Sequence, residues 1–457
     1  MAGIGFELRK MIHKESLLSL IKVYSYSGLL SSGPWVISIL AILAVGFIHI
    51  FQFGSGGESV HFQIIITYAF VLASSLIVTG FIQLPFTRYV ADLIFAERSE
   101  EVSGSFFGVL FVVWLTELLL FAPLVPWLLP HLSATQHIMI IATFLTLSGV
   151  WIANILVSSL KYYHATIAAY FVSYGLIMFA SWRYGESLDA LLFIFYSGNA
   201  LLMVVMITLI VKSYRPSHFM HFGFFNRKRL YYSLGFAGLF YNMGTWADKV
   251  IFWYHPLTGE AVLDAIHASV VYDLPVFLAY LSILPGMAIF FYRLEADFAE
   301  QYDRFYDNVR GGGTLHTIRF YRNEMVRVIR HAVREIIVVQ SIVNITLFLG
   351  APWLFELLRI PQLYLGLFYV LTIGAQLQLG FMSLLALLHY LDQRHKAMVL
   401  SFLFFLLNSL LTLYTIYLGP AWFGYGYALS LLIVFTLSLV VIRTTMQRLD
   451  YETFMLQ

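Results

Sequence analysis

Positive charge alternates along this chain from one junction to the next, and that alternation fixes a topology before any element is placed. About twelve apolar segments, each long enough to cross a bilayer as a helix, centre near Ile39, Leu72, Phe111, Leu145, Leu176, Met203, Phe240, Leu278, Val343, Val370, Leu406 and Ile433. The junctions after the odd-numbered segments contain only Arg183 and Arg359. The two flanks and the even junctions contain 24 of the 27 Lys and Arg residues, eight of them from Arg293 to Arg334, while Lys249 falls within a segment. Cations collect on the cytoplasmic side of membrane helices. The pattern therefore predicts an all-α polytopic membrane protein, with both termini and all even loops cytoplasmic.

Composition excludes the soluble alternatives. At 60% hydrophobic and 11% charged residues, too little polar surface exists to cover a water-soluble domain. A net charge of +2 is no nucleic-acid signature, because 25 acids offset the cations. The absence of cysteine rules out disulfides, thiolate metal sites and cysteine nucleophiles. Arg9 and Lys10 precede an apolar run longer than that of a signal peptide, so the run is expected to stay as the first helix.

An internal repeat suggests two halves. Arg88-Tyr89-Val90-Ala91-Asp92 and Arg293-Leu294-Glu295-Ala296-Asp297 both fit RxxAD, each after the second helix of a six-helix set, and each follows a Leu-Pro pair (Leu84-Pro85, Leu284-Pro285) and a Leu-Ala pair (Leu72-Ala73, Leu278-Ala279). Two bundles, residues 1–220 and 221–457, are expected, related by a pseudo-twofold axis along the membrane normal with a cavity between them. A plainer reading is that RxxAD anchors a helix end, its Arg and Asp one turn apart. The segment at about 298–334 is cytoplasmic on this map. In it Gly311-Gly312-Gly313 reads as a flexible joint, followed by a basic amphipathic helix with Arg319, Arg327, Arg330 and Arg334 on one stripe. That stripe is a candidate dock for a cytosolic partner or an anchor on anionic lipid.

No catalytic motif is present: there is no HExxH, no phosphate-binding GxxxxGK[ST], and the histidine pairs His131/His137, His218/His221 and His389/His395 lie in or beside junctions. Neither an enzyme activity nor a cofactor or metal is expected. Charges inside helices are more telling, since a central Asp or Lys costs about 2.5 to 3.5 kcal/mol on insertion scales. Asn242, Thr245, Lys249 and Trp253 share a stripe flanked by Tyr241 and Asp248, and Asp273 in the next helix lies at comparable depth. These residues either line a transport path or form a Lys249–Asp273 ion pair that fixes a helical hairpin. Glu117 sits mid-helix among Trp114, Leu118, Leu120 and Phe121, where it could exchange a proton during transport or stay neutral in a helix interface. Asn154, Ser158 and Lys161 form a polar stripe, and Tyr170 with Tyr174 an aromatic step; both fit a path or ordinary interhelical packing. Gly33-Pro34, within Ser31-Ser32-Gly33-Pro34-Trp35, should bend the first helix and is a candidate gate.

At two of these places, Ala2-Gly3-Ile4-Gly5-Phe6-Glu7-Leu8-Arg9-Lys10 and Ser31-Ser32-Gly33-Pro34-Trp35, the chain resembles the PelG family of exopolysaccharide transporters, within the multidrug/oligosaccharidyl-lipid/polysaccharide exporter superfamily. The resemblance implies two six-helix bundles and work alongside a PelF-like cytosolic glycosyltransferase, a PelE-like membrane protein and a PelD-like cyclic-di-GMP receptor. It also implies a polymer rich in N-acetylgalactosamine, neutral while in transit, as part of biofilm formation. No family site residue transfers to this chain. The leading expectation is export of that polymer; an ion-coupled flippase or exporter of lipid-linked oligosaccharide or organic cations, and a non-transporting scaffold of the synthase, are the alternatives.

The topology is directly testable. Reporter fusions after Gly54, Pro126, Gly185 and Thr258 should read periplasmic, and fusions after Arg98, Arg227 and Arg310 cytoplasmic; two or more reversals in stably expressed protein would dismantle the twelve-segment map.

Overall fold

The computed structural model describes residues 17–53, 57–70, 78–159, 163–215, 218–226, 231–358 and 360–455. They form fifteen α-helices and one short β-hairpin. Eight helices are long and apolar enough to cross a membrane, or nine if a pair bent by 40°, Asp273–Leu281 with Leu284–Arg310, counts as one span. Eleven of the twelve apolar centres lie in helices; the twelfth, at Leu72, and Ala73 beside it lie outside the described residues. So do Ala2 to Lys10, Lys161, Arg227 and Arg359, and the side chains of Ser31, Ser32, Trp35 and Ser158.

One compact unit runs from Pro34 to Val270. It contains the second part of α1 (Leu17–Phe53), then α2 (Gly57–Phe70), α3 (Val78–Phe95), α4 (Glu100–Leu128), α5 (Ala134–Ser159), α6 (Tyr163–Tyr184), α7 (Leu188–Ser213) and α8 (Tyr232–Tyr254). The hairpin β1 (Glu260–Leu263) and β2 (Ile266–Ala268) follows, antiparallel with Glu260 opposite Ala268. Local signals set the helix ends: the Ser187 side chain caps α7 by accepting from the Ala190 N–H, and Glu100 and Glu101 sit in the first turn of α4, where a helix favours negative charge. The core is a continuous cluster that includes Phe62, Phe86, Phe106, Ile152 and Phe195, all fully buried.

The expected boundary at 220 and the limits of this unit differ, because α8 packs on α3. A side chain on Gly238 would meet the Gly80 carbonyl oxygen at 2.5 Å, so the two backbones touch where glycine alone fits. Close packing, rather than order along the chain, groups these helices.

The second unit holds the described part of α1 up to Gly33 and everything from Val271 onward. It contains α9 (Asp273–Leu281), α10 (Leu284–Tyr292), a π-helical turn at Arg293–Phe298, α11 (Ala299–Arg310), α12 (Leu315–Leu357), α13 (Leu365–Tyr390), α14 (Arg394–Leu418) and α15 (Tyr425–Met455). Pro285 falls in the first turn of α10, where its missing N–H costs no helix bond, and so marks the break after α9. Pro85, the other half of the Leu-Pro repeat, instead lies inside α3. Tyr24 of α1 joins this unit by donating to Glu335 at 3.0 Å and packing edge-on against Tyr292.

The basic amphipathic segment and the ninth apolar segment are one 43-residue helix, α12, about 65 Å long. The glycines before it are not a loose joint. The Gly311 N–H bonds the Asp307 carbonyl and the Gly313 N–H the Asn308 carbonyl, with Gly312 at φ +70°, which closes α11 in a tight left-handed turn. The Thr314 hydroxyl then caps α12 by accepting from the Thr317 N–H.

Glycine packing yields a paired prediction. Gly238→Ala should destabilise the protein by about 1–3 kcal/mol, because the blocking atom is backbone. Gly175→Ala, with open space around it, should be neutral or stabilising by about 0.5–1 kcal/mol. Thermal unfolding of the purified variants in one detergent decides the order.

Candidate functional site

The charged part of the polar face of α8 is buried, while Asn242 and Thr245 are half-buried. Lys249 and Asp248 are 3% and 0% exposed, and the Lys249 ammonium lies 3.1 Å from both Asp248 oxygens and donates to the Thr245 carbonyl at 2.8 Å. It also lies 5.8 Å from the centre of the Trp246 ring. Charge is thus met within one turn of the same helix, by its neighbour's carboxylate, a carbonyl and an aromatic face. Asn242 and Thr245 share this face, and Thr245 turns its hydroxyl onto the Tyr241 carbonyl. Trp253 near its C-terminal end stacks on Tyr68 of α2, and the Tyr68 hydroxyl donates to the His267 carbonyl of the hairpin. Asp273 is the first residue of α9, in the other unit.

Glu117 is fully buried on α4. The Ser148 hydroxyl of α5 faces it without completing a hydrogen bond, so neither carboxyl oxygen has a partner among the described residues. Tyr170 and Tyr174 lie parallel with ring centres 6.1 Å apart, and the Tyr174 hydroxyl donates to Asn199, whose amide donates to the Phe195 carbonyl. The step on α6 is therefore tied to α7 by neutral groups.

The candidate gate coincides with a boundary. α1 is continuous through Pro34, and the two compact units divide between Gly33 and Pro34. The Ser38 hydroxyl bonds the Pro34 carbonyl, the kind of local hydroxyl contact that accompanies proline in membrane helices.

Both RxxAD copies form the same ion pair. Arg88 meets Asp92 at 3.1 Å, with the Tyr231 hydroxyl also on Asp92, and Arg293 pairs with Asp297 and, at 2.6 Å, with Glu335. The docking stripe divides. Arg319 reaches Asp450 at 3.6 Å and Arg327 reaches Glu324 at 3.0 Å, whereas Arg330 and Arg334 line a groove against α15.

One polar network had no counterpart in the sequence reading. In the second unit Tyr280 of α9 and Tyr427 of α15 both donate to the Gln378 side-chain oxygen of α13, at 2.9 and 2.5 Å. Nearby, Gln340 of α12 donates to the Ser282 carbonyl at the break after α9 and to Asn344, which in turn donates to Gln376. These residues are single polar positions on apolar helices; a hydroxyl or amide recurring on facing helices is the only sequence signal they give. No group of three His, Asp or Glu residues among the described residues is arranged to hold a metal.

This helical arrangement is a known membrane-protein fold. Its fold is similar to that of the outward-facing conformation of a multidrug resistance MATE family transporter of the MOP superfamily, with TM-score 0.66 at 13% identity, covering 94% of this chain and 96% of that one. It is similar also to a MOP superfamily transporter from Pyrococcus furiosus (TM-score 0.63, 12% identity, 93% and 96% covered) and to a MATE protein in the bent conformation (0.60, 12%, 98% and 98%). No curated protein matches the sequence. The family, however, is settled by sequence: residues 1–454 match the family described as "PelG: Putative exopolysaccharide Exporter (EPS-E)", and the chain belongs to it.

The α8 pair generates a double-mutant test. Lys249→Met should cost about 3–5 kcal/mol by stranding the buried Asp248 carboxylate, and Lys249→Met with Asp248→Asn should recover most of that loss. Additive losses in unfolding free energy would show that the two side chains do not depend on each other.

Proposed function

We propose that this chain exports a growing, neutral, N-acetylgalactosamine-rich exopolysaccharide across the bacterial inner membrane. The observation that carries the reading is the kind of polarity the protein buries. Among the described residues only Glu117, Asp248, Lys249 and Glu295 are buried Asp, Glu, Lys or Arg, while the remaining buried polar groups are hydroxyls, amides, imidazole and phenols. A sugar polymer offers hydroxyls and apolar ring faces, and neutral donors and aromatic rings match both without holding the chain too tightly to slide. The Tyr280–Gln378–Tyr427 network and the Tyr170–Tyr174–Asn199 set are the best candidates for such contacts. Membership of the exopolysaccharide exporter family supports the same reading.

The polymer is made by a PelF-like cytosolic glycosyltransferase whose elongation pushes the chain, in a complex with PelD-like and PelE-like proteins. Both termini of the exporter face the cytoplasm, as its cation distribution favours. Gly33-Pro34 serves as the hinge, since α1 passes from one compact unit to the other there.

A second reading has one observation of its own. An unpartnered buried carboxyl such as Glu117 is the type of group that couples transport to protons. The two are separable in inverted membrane vesicles carrying the glycosyltransferase and a nucleotide-activated N-acetylhexosamine. Under the polymer reading, Gln378→Leu lowers enzyme-protected polymer about tenfold at normal protein level, because it removes the acceptor that two phenols share. Glu117→Gln and collapse of the proton gradient then leave export unchanged. Loss of export in both of those arms would replace the synthesis-driven exporter with the ion-coupled one.

A further inference from the structure

The groove between α12 and α15 combines two features that the exporter reading does not use. It has a volume of about 850 Å³ and an apolar wall of Val326, Ile329, Val333, Ile337, Ile442 and Met446. Arginine supplies its charge: Arg322, Arg330 and Arg334 from α12 and Arg443 from α15. The cations are not equivalent. Arg322 is committed to Asp450 at 2.5 Å, and outside the groove wall Arg319 and Arg327 also have acidic partners. Among the described residues Arg330, Arg334 and Arg443 have none. Arg330 and Arg334 are one turn apart and so share a face, and Arg443 approaches from the opposite wall.

The apolar part of the groove runs toward the membrane. Ile337, Val338 and Leu439 belong to the stretches where α12 and α15 turn from mixed to continuously apolar sequence. A second small cavity of about 120 Å³ shares Val333 and Ile337 with the groove and continues it past Leu377, Gly380 and Phe435. An occupant therefore meets guanidinium groups at one end and hydrocarbon at the other. An acidic protein surface would satisfy the first and not the second.

We propose that this groove binds an anionic phospholipid, its phosphate held by Arg330, Arg334 and Arg443 and an acyl chain lying against Val333, Ile337 and Leu439. Charge complementarity selects the headgroup: three guanidinium groups without acidic partners offer paired N–H donors to phosphate oxygens, whereas a zwitterionic headgroup brings a cation into the same space. The site makes the arginine stripe of α12 a lipid-binding element rather than a protein dock. It fastens the long α12 to α15 at the charged end of the spans, through a molecule supplied by the bilayer.

The test uses the full-length protein in phosphatidylcholine bilayers containing trace spin-labelled phosphatidylglycerol or spin-labelled phosphatidylcholine. Electron paramagnetic resonance reads the fraction of each label immobilised by protein. Phosphatidylglycerol should be preferred by about fivefold or more, since each surface cation contributes about 1 kcal/mol toward an anionic lipid. Arg330→Gln with Arg334→Gln and Arg443→Gln should reduce the preference to near parity, and Arg443→Gln alone should reduce it in part should the triple variant misfold. Arg327→Gln, a residue paired with Glu324, should leave it intact. Met446→Trp, which fills the groove and spares the arginines, should also lower it. A preference unchanged in the triple variant, or in Arg443→Gln alone where that one decides, overturns the proposal. Displacement of the lipid by excess inorganic phosphate overturns it in favour of a soluble phosphate site. Absence of any preference, with co-purification of the glycosyltransferase lost in the triple variant, returns these arginines to partner docking.

Discussion

Every polar group that enters the hydrocarbon must find its partner inside the protein, and most of this structure follows from that constraint. Backbone groups are met by forming helices, since water is unavailable to cap them. Hydroxyls are met at the shortest range: Thr67, Thr116, Thr208 and Thr346 each donate to the carbonyl four residues earlier on their own helix. Lys249 follows the same rule with a charge, finding the Asp248 carboxylate and the Thr245 carbonyl on α8 itself.

Groups satisfied across helices do a different job. Gln378 ties α9 to α15 through two tyrosines, and Asn344 ties α12 to α13 through Gln376. Such bonds are modest one at a time, on the order of 1 kcal/mol, and fix which helices travel together. Close glycine contacts do the same by shape within each unit, as at Gly238 on Gly80 and at Gly374, where an added carbon would fall 2.4 Å from the Tyr427 ring. Glu117 breaks the rule on both counts, with no partner on its own helix or across to α5. A carboxyl buried with neither oxygen hydrogen-bonded is the costliest kind of exception inside a membrane protein, and such a position is where function is usually sought.

The helical class and the places of eleven apolar helices were legible in the sequence because both are written in a one-dimensional quantity, apolar length. The RxxAD repeat was also readable, since an i to i+4 pair needs only helix geometry, and both copies formed it. What the sequence hid is what depends on a third element. The grouping of α8 with α3 turns on two glycines far apart in the chain, and nothing in either helix alone announces their contact. The turn at Gly311-Gly312-Gly313 read as flexible because composition reports freedom, whereas the carbonyls of Asp307 and Asn308 remove it. The phenol–amide network around Gln378 was missed for the same reason: lone polar residues on apolar helices acquire meaning once they face one another.

The division of the arginine stripe shows how far a charge pattern can be taken. By periodicity Arg319, Arg327, Arg330 and Arg334 are one surface. By partner they are two, because Asp450 and Glu324 neutralise the first pair and leave the second facing an apolar wall. An exposed ion pair contributes little to stability, about 0–1 kcal/mol, but it lowers the attraction of that arginine for any outside anion. Recognition by such a helix is thus set by the acids around it as much as by its own cations.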